Sequence, residues 1–341
     1  MLAAGVAVAA AAGFVVFVIP QLTGIGRTLT RLRSGSPGWL AFGVGLEAAS
    51  LVAYAVLFQA VFSCDDARIG WRASFQITFA GDVANKLFAA AGAGGVALTV
   101  WALRASGLRS QTVARRMVCL EVLLYAVYMA SLVIAGLGLR LGVFAGRSPA
   151  ALTVVPAAFG AGAIAIALST VYLADRWERW LQARASHATS RAARWWTRAA
   201  GFPRALGDGL RTTVQVVRVH RAAPVAALAY WAFDIATLWA SFRAFGHAPT
   251  GAVIVLGYFV GTLANALPLP GGIGGVEGGM IGAFLGFGVN GSLAVVAVLA
   301  YRAISYWLPT LPGAVAYLRL RQTVSDWRTA DGGPTTADIT P

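Results

Sequence analysis

The stretch Phe79-Ala-Gly-Asp-Val-Ala-Asn-Lys-Leu87 recurs 180 residues later as Phe259-Val-Gly-Thr-Leu-Ala-Asn-Ala-Leu267. A second match keeps the same offset, because Gly92-Ala-Gly-Gly-Val96 aligns with Gly272-Ile-Gly-Gly-Val276. About half of the positions from the start of the first match to the end of the second are identical, without a gap. This self-similarity predicts an internal repeat. Chance likeness between segments rich in Gly and Ala is the alternative.

Each copy lies inside an apolar stretch that Gly or Pro residues interrupt, Ala73–Ser106 and Ala252–Gly288. The interruption leaves arms of about sixteen and about a dozen residues, and a helix rises only ~1.5 Å per residue. Neither arm can cross a hydrocarbon core of ~30 Å by itself. Broken segments of this kind occur at membrane depth only where they are buried in protein or line a cavity. Both stretches are therefore predicted to be re-entrant hairpins.

The surrounding sequence has the composition of a membrane protein. It is 58% hydrophobic and 12% charged, with a mean hydropathy of +0.70, whereas a soluble domain carries ~25% charged residues. A chain so poor in charge cannot cover a surface that faces water. Six apolar stretches are long enough to cross a bilayer as helices: Leu2–Ile19, Trp39–Phe62, Ala114–Gly138, Pro149–Ala174, Ala223–Phe245 and Leu293–Leu318.

The repeat and the apolar stretches together define the predicted architecture. The same offset maps the helices that flank the first hairpin onto those that flank the second, so each repeat is a helix, a broken hairpin and a helix. Repeat one is placed at 38–138 and repeat two at 223–318, within a single transmembrane domain at 1–321. The number of predicted membrane crossings indicates that the two hairpins enter the membrane from opposite faces. The predicted fold is an all-α polytopic transmembrane bundle with two inverted-topology repeats, an arrangement typical of transporters.

The arginines orient the chain. The formal net charge is +14, and Lys86 is the only lysine. Because the arginines lie between the apolar stretches, they fit the positive-inside rule and anionic lipids better than a nucleic-acid partner. The segment 175–222 interleaves Arg with Trp, which predicts a cytoplasmic segment that is either an amphipathic helix on the inner leaflet or a solvated loop. The tail at 322–341 is predicted to be disordered in the cytoplasm.

One group of arginines does not fit this orientation. With two re-entrant hairpins, Arg27, Arg31 and Arg33 fall on the outer side. Either these arginines belong to a short amphipathic helix on the outer surface, or the first hairpin crosses the membrane once and the amino terminus is outside. In either case the chain is predicted to be a multi-pass protein of the cell membrane, inner or plasma.

Ionisable residues within the apolar stretches are the first candidates for function, because each costs roughly 3 kcal/mol or more at the bilayer centre. Glu121 aligns with Tyr301, the neighbour of Arg302, so the sequence predicts that Glu121 and Arg302 meet near the symmetry axis. A lipid phosphate could then compete for the guanidinium, and a purely structural ion pair is the alternative. The full set of such residues is Glu47, Asp82, Lys86, Glu121, Asp234, Glu277 and Arg302.

The glycine-rich loop of the second hairpin is the most distinctive stretch. Its helix is predicted to begin near Gly275, where backbone N–H groups favour an anion, although Glu277 in the first turn would compete with it. The loop lacks the Gly-Lys-Ser/Thr of a Walker A motif, and close helix packing through small residues is the alternative. The glycines assigned to the predicted binding site in the two copies are Gly94, Gly95, Gly272, Gly274 and Gly275.

Enzyme chemistry finds little support in the sequence. The three histidines and the two cysteines, Cys64 and Cys119, have neither metal-ligand spacing nor a C-x-x-C motif. No Ser-His-Asp set or pair of catalytic carboxylates stands out. Neither an enzymatic activity nor a cofactor is therefore predicted.

Several motifs resemble one family of membrane proteins, the transmembrane region of lysylphosphatidylglycerol synthases and flippase-like proteins. The resemblance covers about 38 to 320 and is most specific in the second half. In the first copy, Phe88 and Ala90 stand where the second has prolines. The motifs are Leu256-Gly-Tyr258 through Asn265, the run from Leu267 to Gly279, Phe287-Gly-Val289, Tyr301-Arg-Ala-Ile-Ser305-Tyr-Trp307-Leu-Pro309 and Leu311-Pro-Gly313.

The resemblance implies movement of anionic or aminoacylated phospholipids, or of polyprenyl-linked lipids, between leaflets. We expect no lipid synthesis here, because the soluble aminoacyl-transferase domain of bifunctional members has no counterpart after Leu320. Asn85 and Asn265 would donate hydrogen bonds to the head group, and Arg302 would hold its phosphate. The alternative is a membrane scaffold that recruits a separately encoded transferase through its Arg/Trp segment. Besides the lipid, the candidate partners are therefore that transferase and a second copy of the chain.

Overall fold

The computed structural model describes residues 35–63, 69–87, 93–186, 206–263, 274–307 and 309–330, and all regular structure in these ranges is helical. The first predicted span, Leu2–Ile19, lies outside them. The helices are α1 (Pro37–Phe62), α2 (Trp71–Leu87), α3 (Ala93–Ala105), α4 (Ser110–Arg140), α5 (Ala150–Ser186), α6 (206–219), α7 (Ala222–Phe245), α8 (Gly251–Thr262), α9 (Gly275–Gly286), α10 (Gly291–Arg302) and α11 (Thr310–Ala330).

Five segments of the described chain are long and apolar enough to cross a membrane, which confirms the polytopic all-α prediction. Four are single helices, and the fifth comprises α10, α11 and the turn between them. Local sequence sets some of their ends: Pro37 begins α1, and the Asn290 side chain caps α10 by accepting a hydrogen bond from the Leu293 N–H at 3.2 Å. The spans are Pro37–Phe62, Ser110–Arg140, Ala150–Thr170, Ala222–Phe245 and Gly291–Trp327.

The last predicted span, Leu293–Leu318, is not one continuous α-helix. Helix α10 ends at Arg302, a π-helical turn follows at Ala303–Trp307, and α11 then runs to Ala330. The prediction of disorder from residue 322 is thus wrong for 322–330, and 331–341 lie outside the described residues. The polar end of α11 is ordered because Leu320 and Val324 are buried and the Thr323 hydroxyl donates to the Gln76 side chain at 2.9 Å.

The predicted cytoplasmic segment 175–222 is helical at both of its ends. Helix α5 continues to Ser186, and α6 packs against α4, where Gly209 touches Val118 and the Thr213 and Cys119 side chains interact. Most of the Arg/Trp-rich part, 187–205, lies outside the described residues. The scaffold hypothesis, which depends on that part, therefore stays a prediction.

The two broken stretches each form a pair of short helices packed against each other, α2 with α3 and α8 with α9. The arms contain 17 and 13 residues in the first pair and 12 and 12 in the second. Close approaches at Gly81–Thr99 and Asn85–Gly95 show that the first pair is antiparallel, since one residue number rises as the other falls. These lengths agree with the predicted hairpin arms.

Helices α1 and α7, which the 180-residue offset equates, pack against each other in opposite directions. Trp39 contacts Trp239 near one end, and the Ser50 hydroxyl donates to the Tyr230 carbonyl at 2.9 Å in the middle. Ser50 and Tyr230 are themselves equivalent positions, 180 residues apart. A two-fold axis between the repeats would pass through this contact. The inverted relation of the complete repeats stays a prediction.

The buried apolar side chains form two clusters, one around each hairpin. The first joins α2 and α3 to the last turns of α1, the first half of α4 and the buried side of α11. The second joins α8, α9 and α10 to the second halves of α4 and α7. The polar residues described next lie where the two clusters meet.

Candidate functional site

A cavity of about 640 Å³ lies between the two hairpins, and α1, α4, α7 and α10 complete its wall. This volume is within the range of small-molecule binding sites. The cavity opens beside α4 and α5, where the lining residues Asn85, Tyr125, Phe159 and Leu263 are exposed. Tyr125 and Phe159 occupy the middle of their membrane-spanning segments. From these positions we infer that the opening faces sideways at the depth of the bilayer.

The charge of the cavity wall is predominantly negative. Glu47, Asp82, Glu121 and Asp234 line it, and Arg302 is the basic residue of the described lining. Tyrosine and tryptophan rings fill much of the remaining wall. Two of these rings link helices of the wall. The Tyr128 hydroxyl of α4 donates to the Phe259 carbonyl of α8 at 2.7 Å, and the Trp231 N–H of α7 donates to the Leu124 carbonyl of α4 at 3.0 Å.

Asp234 is held by two tyrosines from different helices. The Tyr258 hydroxyl of α8 donates to one carboxylate oxygen at 2.5 Å, and the Tyr301 hydroxyl of α10 donates to the other at 2.9 Å. All three residues are buried. A buried carboxylate needs such donors, because an unsatisfied charge at this depth is costly. The three residues tie the hairpin helix α8 to α7 and α10.

Glu277 joins the second hairpin to Arg302. One carboxylate oxygen accepts a hydrogen bond from the Arg302 Nε at 2.7 Å, and the other accepts from the Gly274 backbone N–H at 2.7 Å. Gly274 has a φ of +82°, a conformation that favours glycine. The guanidinium also lies over the ring of Tyr306, 4.5 Å from its centre. The start of α9 is thus occupied by an acid of its own first turn.

In the first hairpin, Asn85 accepts a backbone hydrogen bond near the start of a helix, as Glu277 does in the second. The Asn85 side-chain oxygen accepts a hydrogen bond from the Gly95 N–H at 2.7 Å, near the start of α3. The second helix of each hairpin, α3 in the first and α9 in the second, therefore has a side-chain acceptor near its first N–H groups. These backbone donors have no partner within the helix. In the first hairpin the acceptor is an amide, and in the second it is a carboxylate.

Sequence comparison places the chain among known membrane proteins. The family model for the Lysylphosphatidylglycerol synthase TM region matches residues 2–313. The chain belongs to this family. A UPF0104 membrane protein of Methanothermobacter thermautotrophicus is 26% identical over 328 residues, which are 90% of this chain and 90% of the relative. Another match with that name and organism is 35% identical over 92 residues, 27% of this chain and 28% of the relative.

Family membership and the five described spans make the chain an integral membrane protein. They also confirm the resemblance found in the motifs of the second half. The match begins at residue 2, well before the region of about 38 to 320 in which those motifs were found. It assigns no substrate to this member of the Lysylphosphatidylglycerol synthase TM region family.

The structure brings part of the predicted binding site together. Asn85, Gly95, Glu121 and Arg302 line the cavity. Asn265 and Gly272 lie outside the described residues. The remaining predicted residues do not line the cavity: Gly94, Gly274, Gly275 and Glu277.

One expectation about these residues needs correction. Arg302 pairs with Glu277 and not with Glu121, because the turn after Gly274 brings Glu277 up to the last turn of α10. The anion site predicted at the start of α9 is taken by the same Glu277, as the sequence had allowed. The Nε of Arg302 is therefore not available to a phosphate while this pair is present.

The composition of the apolar stretches does not indicate the two tyrosines that bind Asp234. It marks Asp234 as an intramembrane acid, but it does not mark its partners Tyr258 and Tyr301. The repeat offset carried a usable signal, since it places Glu121 opposite Tyr301 and also Tyr54 opposite Asp234. An acid in one repeat thus corresponds to a tyrosine in the other, twice.

Proposed function

We propose that this protein moves a phospholipid with a positively charged, aminoacylated head group between the two leaflets of the membrane. The observation that supports this most strongly is the carboxylate-lined cavity with a lateral opening. Family membership supports a lipid-related role, and the charge of the cavity selects among the lipid classes that the sequence suggested.

The shape of the cavity suits a lipid head group. A volume of about 640 Å³ accommodates a glycerophosphate with an aminoacyl ester but not a pair of long acyl chains. Since the opening is lateral, the acyl chains can stay in the bilayer while the head group enters between the hairpins. A water-soluble substrate would need a passage to the aqueous phase instead.

The charge of the cavity favours a cation. Four carboxylates face one guanidinium in the described lining, and Glu277 already neutralises that guanidinium. An ammonium group is attracted by the carboxylates and also by the faces of the aromatic rings. A head group with only a phosphate would meet like charges. Among the predicted lipids, the aminoacylated class therefore fits best.

The antiparallel packing of α1 and α7 supports a carrier mechanism. In transporters with inverted repeats, the substrate site lies at the repeat interface, and relative motion of the repeats exposes it to alternate sides. Here the cavity lies beside the contact of Ser50 with Tyr230, where the equivalent helices cross. Asn85 stands at the tip of one hairpin and Arg302 against the other, so both would move relative to the head group.

A leaflet-exchange assay tests the function. Reconstituted vesicles would contain lysyl-phosphatidylglycerol with a fluorescent acyl chain, and a membrane-impermeant quencher would report its exposure. We expect the protein to accelerate exchange of this lipid and to favour it by about tenfold over phosphatidylglycerol with the same chain, as ~1.4 kcal/mol of charge preference would give. Glu121→Gln should remove most of this preference.

A matched control separates the cavity from the surface. Asp208 is also an acid, but it lies 33% exposed in a surface ion pair with Arg115, so Asp208→Asn should exchange lipid at the unaltered rate. Exchange of both lipids no faster than in vesicles without protein would refute the proposed function.

A further inference from the structure

The two halves of the cavity carry the same acid–tyrosine pair with its members exchanged. In repeat two, Asp234 on α7 accepts the hydroxyl of Tyr301 on α10. The equivalent positions in repeat one, 180 residues earlier, are Tyr54 on α1 and Glu121 on α4. Tyr54 and Glu121 both line the cavity and interact electrostatically. Each half of the cavity therefore presents one carboxylate and one phenol at corresponding places.

The two acids differ in their surroundings in this conformation. Asp234 is buried and held by two hydroxyl groups. Glu121 is half-buried beside the open side of the cavity, near the exposed Tyr125, and in the described structure neither a hydrogen bond nor an ion pair holds its side chain. One acid is thus enclosed while its counterpart is accessible.

A carrier has to return after it releases the head group. Without a cation, the accessible carboxylate would remain at bilayer depth without compensation, at a cost of roughly 3 kcal/mol or more. A proton removes this cost, because a neutral carboxyl group can donate to a neighbouring phenol oxygen. The returning form of the cavity would then carry protons where the loaded form carried the ammonium group.

We propose that the protein exchanges the cationic head group for protons, with Glu121 and Asp234 as the groups that hold them in turn. This inference rests on the proposed function and adds the ion that is coupled to it. Reversal of the two repeats would expose Asp234 and enclose Glu121 beside the Tyr54 hydroxyl. The lysyl ester carries two ammonium charges and one phosphate charge, so the exchange of this head group for one proton leaves the net charge of the cavity unchanged.

Other ionisable groups lie close to each of the two acids and affect the charge of the cavity. Glu121 shares its surroundings with Tyr54 of α1, Asp82 of α2 and Tyr125 of its own helix. Asp234 faces Tyr258, Tyr301 and Tyr230, and Glu47 of α1 acts on the last two. Arg302 of α10 is paired with Glu277. Among the side chains that the structure describes, these neighbours are phenols and further acids, so in this scheme the head group or protons supply the compensating charge.

A pH gradient across reconstituted vesicles tests the coupling. The probe is the fluorescent phosphatidylglycerol ester of a fully N-methylated lysine, whose charge does not change with pH. The membrane potential is held at zero by valinomycin with equal potassium on both sides. With an acidic interior, protons leave as head groups enter. A difference of about one pH unit should therefore enrich the probe about tenfold in the inner leaflet.

The outcomes separate the coupling from the function itself. Enrichment that a protonophore abolishes, and that Glu121→Gln abolishes while Asp208→Asn retains it, supports the exchange. Rapid movement of the probe with equal amounts in both leaflets despite the gradient overturns the proton coupling but leaves the carrier function. No movement of the probe under any condition overturns both.

Discussion

Glu277 and Arg302 form an ion pair that joins the second hairpin to α10. Their side chains are only 11% and 13% exposed, and Glu277 also holds the first turn of α9. An ion pair at this depth is worth less than its geometry suggests, because both charges lose their hydration. Loss of one partner is more harmful than loss of both, since the remaining charge is then uncompensated.

We expect Arg302→Ala to lower the free energy of unfolding by roughly 3–5 kcal/mol, because it leaves the Glu277 carboxylate buried without its cation. The double variant Glu277→Gln/Arg302→Gln, which has no charge to compensate, should recover most of this loss. Unfolding in mixed detergent micelles measures both. An Arg302→Ala variant as stable as the wild type would show that the pair is not buried from water.

At the scale of residues, the sequence indicates the candidate ionisable residues better than the side chains with which they pair. Intramembrane Glu121, Asp234 and Arg302 stand out because charge is rare in apolar stretches. Their partners depend on the rotation of each helix and on the turn before α9, which composition does not encode. Tyrosines are common at many membrane positions, so Tyr258 carries no signal until the fold brings it to Asp234, whereas the repeat offset already links Tyr301 with an acid.

Glycine determines how closely the arms of each hairpin approach. In the second hairpin, a Cβ at Gly261 would lie 2.8 Å from the Met280 backbone nitrogen and 3.0 Å from its Cα. In the first, a Cβ at the equivalent Gly81 would meet the Thr99 hydroxyl at 3.3 Å. Thr99 is equivalent to Gly279, which touches Gly261. Both hairpins therefore cross at the same pair of positions, and the second is packed more tightly.

Gly261→Ala should therefore lower the free energy of unfolding by about 1–3 kcal/mol, since the added methyl meets backbone that cannot move aside. Gly282→Ala, on α9 of the same hairpin, is the matched control. Nothing lies within 4 Å of its Cβ, and alanine favours a helix over glycine by about 1 kcal/mol. Equal effects of the two substitutions in the same unfolding assay would mean that the arms do not cross at Gly261.

At the scale of elements, the interruptions by Gly and Pro predicted the hairpin arms well, because half-length helices follow from their spacing. The π-helical turn after Arg302 was not predicted, although Pro309 and Pro312 lie within the stretch Leu293–Leu318 and disfavour one continuous helix. The order of α11 beyond residue 321 was also not predicted. Its polar composition suggests disorder, whereas contacts with α2 hold it.

At the scale of the whole molecule, the antiparallel contact of α1 with α7 and the cavity beside it are the features on which the proposed transport depends. The repeat could be predicted because the two copies share Phe, Asn and Gly at fixed spacing. The cavity and its excess of carboxylates could not, because they arise from side chains on nine helices that are spread along the sequence. The coupling to protons belongs to this scale as well, since it requires both halves to exchange their environments.

The most direct test of the account is the side from which each hairpin can be reached. In a chain without Cys64 and Cys119, single cysteines would replace Gly70, which precedes α2, or Gly251, which begins α8; both are exposed, and nothing lies within 4 Å of their Cβ positions. Opposite insertion predicts that an impermeant maleimide labels Gly251→Cys in intact spheroplasts and Gly70→Cys only after permeabilisation. Labelling of both from the same side would contradict the inverted arrangement and the carrier mechanism that depends on it.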